Sequence, residues 1–138
     1  MKKEKSCGAV VYRWENEEPL FLLERMIKGH VSLPKGHVEG AETEEETARR
    51  EIREETGLEV ELNTDFRRVI TYSPAYGVSK DVVFFLAEAL PGEAVRQESE
   101  VAELYWLPFE EAEKKLSFAS DRETLAFAEE ALKNREKR

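Results

Sequence analysis

Residues 36–58 read GHVEGAETEEETARREIREETGL, and the organisation of the chain is worked outward from them. From Thr43 the pattern turns helical: Thr43 and Glu46 form a capping box, Ala48 and Ile52 stand one turn apart, and Gly57 sits where a helix closes. Glu51, Glu54 and Glu55 follow an i, i+3, i+4 spacing, which lays three carboxylates along one helix face while Ile52 points elsewhere. Like charges about 6 Å apart cost roughly 2–3 kcal/mol per pair at an effective dielectric of ~20, so clustering them under partial burial calls for a cation. Hard carboxylate oxygens suit magnesium or manganese, which keep several waters and take phosphate oxygens as remaining ligands. Taken alone, the three glutamates also fit a solvated acidic helix face.

Around this helix the chain reads as strands first and helices last. Ser6 to Arg13 alternates and then runs apolar, and Pro19 to Glu24 forms a second strand after the polar turn Glu15 to Glu18. A loop carrying Pro34, Gly36 and Gly40 leads into the helix. Leu58 to Leu62, Arg67 to Tyr72 and Asp81 to Ala89 read as further strands, with a turn over Ser73 to Ser79 and a short last strand over Leu104 to Leu107. Pro108 to Leu116 and Asp121 to Lys137 read as helices, the second with Leu125, Phe127, Ala128 and Leu132 on its apolar side. Strands interspersed with helices in 138 residues predict one domain, residues 1–138, of α/β (α+β) class: a mixed sheet covered by helices.

Composition narrows the chemistry. A formal net charge of −9 repels the phosphate backbone of a duplex, which argues against duplex nucleic acid as a partner. An acidic protein can still act on a polyphosphate when divalent cations bridge carboxylate to phosphate. No stretch approaches the roughly 18 apolar residues of a membrane span, and the basic start Met1 to Lys5 leads into only seven uncharged residues before Arg13. Neither a membrane anchor nor a secretory signal is expected. Cys7 is the single cysteine, which fits a reducing cytoplasm. The acids are 27 Glu against 3 Asp, with one Gln and three Asn, a balance of the kind reported for heat-adapted proteins.

Read in order, the central stretch is Gly36, five residues, Glu42, seven residues, then Arg50-Glu51-Ile52-Arg53-Glu54-Glu55-Thr56-Gly57-Leu58. It resembles the signature of the Nudix hydrolase family at every position, including the aliphatic residues at Ile52 and Leu58. The resemblance implies an α/β/α sandwich around a mixed sheet and metal-dependent hydrolysis of a diphosphate linkage in a nucleotide. It also implies that Glu51, Glu54 and Glu55 ligate magnesium or manganese, that Arg50 holds a carboxylate through a salt bridge, and that Gly36 offers its carbonyl. Glu42 is expected to be structural. Outside the signature, Ser32 to Glu39, Lys80 to Glu88 and Tyr105-Trp106-Leu107 look like the branch that hydrolyses diadenosine tetraphosphate asymmetrically to ATP and AMP, although that branch usually has tryptophan where Val31 stands.

A proton acceptor for the attacking water comes, in such a family, from the signature helix or from a later loop. Glu100, six residues before Trp106, stands where such a loop glutamate is expected; otherwise it is a solvated acid beside Glu98 and Glu103. Lys35, next to Gly36, is a candidate phosphate contact, with Arg67 and Lys80 as further ones that otherwise merely flank strands. His37 either touches phosphate or is a loop histidine without a role. Tyr72, Phe84 and Phe118 are candidates to stack a purine, against the ordinary fate of aromatics as core. Other substrates served by the same signature are oxidised nucleoside triphosphates, ADP-ribose, capped RNA and diphosphoinositol phosphates; from a different class, a regulatory nucleotide-binding domain would be expected to have lost signature glutamates, and none is missing here.

Overall fold

The computed structural model describes residues 1–136. In chain order its elements are β1 (Lys2–Glu15), β2 (Glu18–Met26), β3 (Val31–Ser32), β4 (Lys35–His37), α1 (Glu44–Thr56), β5 (Val60–Tyr72), β6 (Val78–Ala89), β7 (Val101–Leu107), α2 (Phe109–Lys115) and α3 (Ala119–Glu136). The strands form one sheet in the order β3-β2-β1-β6-β5, with β4 paired to β1 and β7 to β2. β1 and β6 run parallel, while β1 with β2, β5 with β6 and β2 with β7 run antiparallel, so the sheet is mixed.

Period-two alternation along the central strands explains the layers. Cys7, Ala9 and Val11 of β1 face α1 together with Leu22, Val83, Phe85 and Ala87, and there they bury Ala48, Ile52 and Leu58. Val10 and Tyr12 turn to the other face with Phe21, Leu23, Phe84 and Leu86, where Ala112 and Leu116 and then Leu125, Ala128 and Leu132 of α3 cover them. Both faces are therefore dry, which is why these strands read as apolar runs rather than clean alternation. The α/β/α sandwich expected from the sequence is the observed architecture. No helix among the described residues is long and apolar enough to cross a membrane.

Several elements differ from the sequence reading; among them, β6 starts at Val78 rather than Asp81 and β7 at Val101 rather than Leu104. β1 begins at Lys2 rather than Ser6, because residues 2–5 join β6 through backbone pairing that does not depend on side-chain hydrophobicity (Lys2↔Val78 through Lys5↔Asp81). The two strands expected over residues 58–62 and 67–72 are one, β5, interrupted by a register shift between Asn63 and Arg67 that absorbs the polar Asn63-Thr64-Asp65. Leu58 precedes that strand and packs under α1. The loop before α1 contains β3 and β4, only 2 and 3 residues long and too short to print a periodicity. The last helix starts at Ala119, and its expected end at Lys137 lies outside the described residues.

Pairing between β1 and β2 stops at Tyr12↔Phe21, after which β2 pairs with β3 and β7. The other end of β1 pairs with β4 at Ser6↔His37, Cys7↔Gly36 and Gly8↔Lys35. The end of β2, the short β4 and the C-terminal half of α1 thereby meet on one side of the sheet.

Candidate active site

α1 starts as its sequence dictates. Thr43 Oγ1 accepts from the Glu46 N–H at 3.1 Å and the Glu46 carboxylate accepts from the Thr43 N–H at 2.9 Å, a reciprocal capping box. The helix ends at Gly57, whose φ of 72° is the left-handed conformation that glycine adopts without a Cβ penalty and whose N–H donates to the Arg53 carbonyl. Ile52 anchors the inner stripe, which leaves Glu51, Glu54 and Glu55 directed towards β4 and the end of β2.

Arg50 organises the exposed half of this acidic face. Its Nε donates to Glu42 at 2.7 Å and its Nη1 to Glu51 at 2.9 Å and Glu54 at 3.2 Å, while Nη2 donates to the His37 carbonyl at 2.9 Å. A planar guanidinium with five donors suits this many-sided role. Glu42, which also accepts from Thr47 Oγ1 and the Glu39 N–H, is held at about 2 chiefly by Arg50, so it stays an anion that fixes the arginine. Its structural role is thus visible in its contacts.

The inner half is drier. Glu55 is 3% exposed and accepts from the Lys35 N–H at 3.1 Å, and against it lies Glu24, 1% exposed, at the end of β2. Burial, and then the neighbouring carboxylate charge, push the Glu55 carboxyl well above its ordinary range, and burial pushes Glu24 up as well. Glu51 is raised for the same first reason, burial, opposed by Arg50. A Cβ added to Gly36 would collide with the Glu51 carboxylate, so glycine alone lets the β4 backbone lie against that side chain.

This donor set suits a hard divalent cation: carboxylates only, partly desolvated and repelling one another, beside a backbone strand that a side chain would block. No three His, Cys, Asp or Glu side chains converge on a single point among the described residues. The carboxylates are instead engaged by Arg50, the Lys35 N–H and Glu24.

Glu51, Glu54 and Glu55 line a cleft of about 360 Å³ whose other walls include Lys35, Gly36, His37, Lys80 and Glu100. Lys80 is held below the usual ammonium range by burial and then by the charge of Lys35, so two mutually repelling cations stand at the rim of an acidic cleft, an arrangement that an anion relieves. Glu100 closes the turn before β7, with its carbonyl accepting from the Ile27 N–H at 2.9 Å. Its neighbour Glu103 is taken up by Arg25 at 3.5 Å, whereas Glu100 faces the cleft. Lys35 lines a second cavity, about 330 Å³, together with Tyr72, Phe84 and Phe118. Phe84 is fully buried and forms part of the core, but Tyr72 and Phe118 are 45% and 50% exposed, an unusual state for aromatics that only fill space. Val31 is buried in the core and lines neither cavity.

Among the candidate phosphate contacts, Arg67 lines neither cavity. Arg67 makes two hydrogen bonds of 2.9 Å to Glu44 in the first turn of α1, and Lys5 joins the same carboxylate at 2.8 Å. Arg67 is a staple between β5 and α1 here. The Arg67 hydrogen bonds, with Lys5 assisting, depress the Glu44 carboxyl to about 2. A depressed carboxylate stabilises the fold above its unfolded value near 4.5 and loses that contribution as pH falls through about 2. Glu44→Gln is therefore expected to unfold at a lower temperature than wild type at pH 7, with the gap closing as thermal scans are repeated towards pH 2.

Sequence reasoning missed Glu24, Asp121, Met26 and Gln97. Alternation after Leu22, which faces α1, places Glu24 on that same face, so a charged residue closing an apolar strand was the available signal. Asp121 is 4% exposed, accepts from the Leu33 backbone and lines the aromatic cavity. Met26 and Gln97 reach the carboxylate cleft through contacts distant in sequence.

The sandwich, the capped helix and the carboxylate cleft define a class: the NUDIX domain profile matches residues 2–127, and the chain belongs to the Nudix family. The mouse bis(5'-nucleosyl)-tetraphosphatase [asymmetrical] is 35% identical over 133 residues, which span 88% of this chain and 90% of the mouse protein. MutT4 of Mycobacterium tuberculosis is 38% identical over 103 residues, 73% of this chain but only 42% of its own length. Among solved structures, the C. elegans Ap4A hydrolase in a binary complex superposes with a TM-score of 0.86 at 28% identity, covering 95% of this chain and 98% of that one.

Proposed function

We propose that residues 1–138 act as one catalytic unit that hydrolyses a diphosphate linkage in a nucleotide with a divalent metal, magnesium or manganese, and that diadenosine tetraphosphate, cleaved to ATP and AMP, is the best substrate. The observation that carries this reading is the position of Lys35, which lines both the carboxylate cleft and the aromatic cavity. A nucleoside polyphosphate fits such a pair of sites, base in one and phosphates in the other. The similarity to the mouse tetraphosphatase and to the worm Ap4A hydrolase, each over nine-tenths or more of those chains, supports the choice of substrate.

In this reading Glu51, Glu54, Glu55 and the Gly36 carbonyl hold the metal, which when bound neutralises the polyphosphate and lowers the pKa of a bound water. Glu100 takes the proton of the attacking water on its carboxylate. Lys35, Lys80 and His37 hold phosphate oxygens, and Arg50 keeps Glu51 and Glu54 in place. Tyr72 and Phe118 present faces to adenine over the floor made by Phe84, stacking worth ~1–3 kcal/mol per base. Arg67 has no part in substrate binding because Glu44 occupies it. A charge of −9 disfavours duplex nucleic acid as substrate, and the buried lone Cys7 suits a cytoplasmic protein.

A panel of nucleoside diphosphate compounds with magnesium, products resolved by chromatography, tests the proposal. The expected result is a higher kcat/KM for diadenosine tetraphosphate than for ADP-ribose or an oxidised deoxyguanosine triphosphate. A competitor that wins by about tenfold, 1.4 kcal/mol of transition-state stabilisation, removes this substrate while leaving the reaction class. No metal-dependent release from any compound would point instead to a binding domain.

A further inference from the structure

We propose that Asp121 is a specificity residue: its carboxylate accepts a hydrogen bond from the 6-amino group of a purine held in the aromatic cavity, so that the site selects a 6-aminopurine over a 6-oxopurine. This rests on the reading of that cavity as the base site and deepens it by naming the base. Asp121 is 4% exposed and yet stands in the cavity wall, the one carboxylate among the described residues that line it. Ile70, Val82 and Phe84 give the wall its apolar floor, with Tyr72 and Phe118 half-exposed beside them. A carboxylate is an acceptor only, and one enclosed by apolar side chains gains from a donor that the ligand brings. A phosphate brings none and repels it, so the group that meets Asp121 is the base. The Leu33 N–H already donates to this carboxylate and takes one side of it. What remains suits the single exocyclic amine of adenine better than the adjacent N1–H and amine of guanine.

The acceptor is also held in place. Arg122 Nη1 donates to the Leu116 carbonyl and Thr124 Oγ1 to the Ser120 carbonyl, both at 2.8 Å, which fixes the first turn of α3. The Val31 N–H donates to Ser117 Oγ at 2.8 Å and the Ser117 N–H to the Val31 carbonyl at 3.0 Å, which ties the approach to that helix to β3. Phe118 and Asp121, three residues apart, therefore meet the cavity in a fixed relation, one offering a ring face and the other an acceptor. At about 330 Å³ the cavity lies near the lower end of small-ligand sites, roughly 300–1,000 Å³, and has room for one nucleoside but not for both halves of a dinucleotide.

The test compares kcat/KM for diadenosine tetraphosphate and diinosine tetraphosphate, in which oxygen replaces the 6-amino group. Wild type is expected to prefer the adenine compound by about 10–100-fold, and equal values overturn the inference. Asp121→Asn keeps an acceptor for the Leu33 N–H but turns an amide donor towards the base, so it is expected to bring the ratio within about twofold of unity or to reverse it. Equal slowing of both substrates in that variant, with the wild-type preference intact, makes Asp121 structural and overturns the inference. A crystal structure of the full chain with adenosine needs neither turnover nor the variant. The adenine N6 is expected within about 3.5 Å of the Asp121 carboxylate, and adenosine bound with N6 elsewhere, or absent from the cavity, overturns the inference. Failure of wild type to hydrolyse either dinucleotide sinks the proposed reaction instead, while the adenosine complex still decides on Asp121.

Discussion

Glu55→Gln and Glu54→Gln are each expected to lower turnover by at least about 100-fold with the fold intact, because on the proposed assignment each removes a charge that would hold the metal rather than a packing group. Glutamine preserves the acceptor that Glu55 offers to the Lys35 N–H, and the Glu54 side chain is 46% exposed, so neither change opens a cavity. The two variants should differ in stability without metal. Burial pushes the Glu55 carboxyl up, so without metal the chain must take up a proton there to fold at neutral pH, and glutamine avoids that cost, which should raise the melting temperature measured in a chelator. Glu54 is the half-exposed partner of Arg50, which keeps Glu42 and Glu51, and its loss should leave that temperature within about 5 °C, as such pairs contribute roughly 0–1 kcal/mol. Turnover near wild type in both variants would sink the assignment of the metal site to α1.

Glu100→Gln separates proton transfer from metal binding. With Glu100 as the proton acceptor, turnover falls about 10²–10⁴-fold while Mn2+ affinity stays at the wild-type value. The residue is suited to the task by placement: it is exposed, lines the cleft opposite the helix carboxylates, and sits on a turn whose backbone is fixed to Ile27 and Gln97. Glu103→Gln is the control, since Arg25 draws that side chain away from the cleft, and it should leave turnover unchanged. A loss below about fivefold in Glu100→Gln, less than about 1 kcal/mol of barrier, would return the role to the signature helix.

Much of the molecule was legible in residues 36–58 because the forces that shape a helix act within about four residues. The capping box at Thr43, the left-handed stop at Gly57, the inner stripe of Ala48 and Ile52, and the shared face of Glu51, Glu54 and Glu55 are all consequences of spacing. The apolar runs of β1, β2 and β6 likewise announced strands covered on both faces, and the mixed sandwich followed. Glu42, expected to be structural from the resemblance, is engaged by Arg50 and Thr47.

What tertiary structure alone decided involves residues far apart in the chain, where pairing depends on how strands are threaded rather than on local pattern. Glu24 meets Glu55 across 31 positions, and Arg67 is turned from a phosphate candidate into a partner of Glu44 across 23. β4 exists because Gly36 can approach Glu51 without a Cβ, a fact about a contact and not about three residues of strand propensity. Lys35 joins two cavities, and Asp121 enters one of them, only because the chain before α1 and the start of α3 meet at the sheet. Backbone hydrogen bonds and close packing between distant segments are blind to the periodicities that a sequence displays, so the helix that carries the carboxylates was written in its own residues, and the company those carboxylates keep was not.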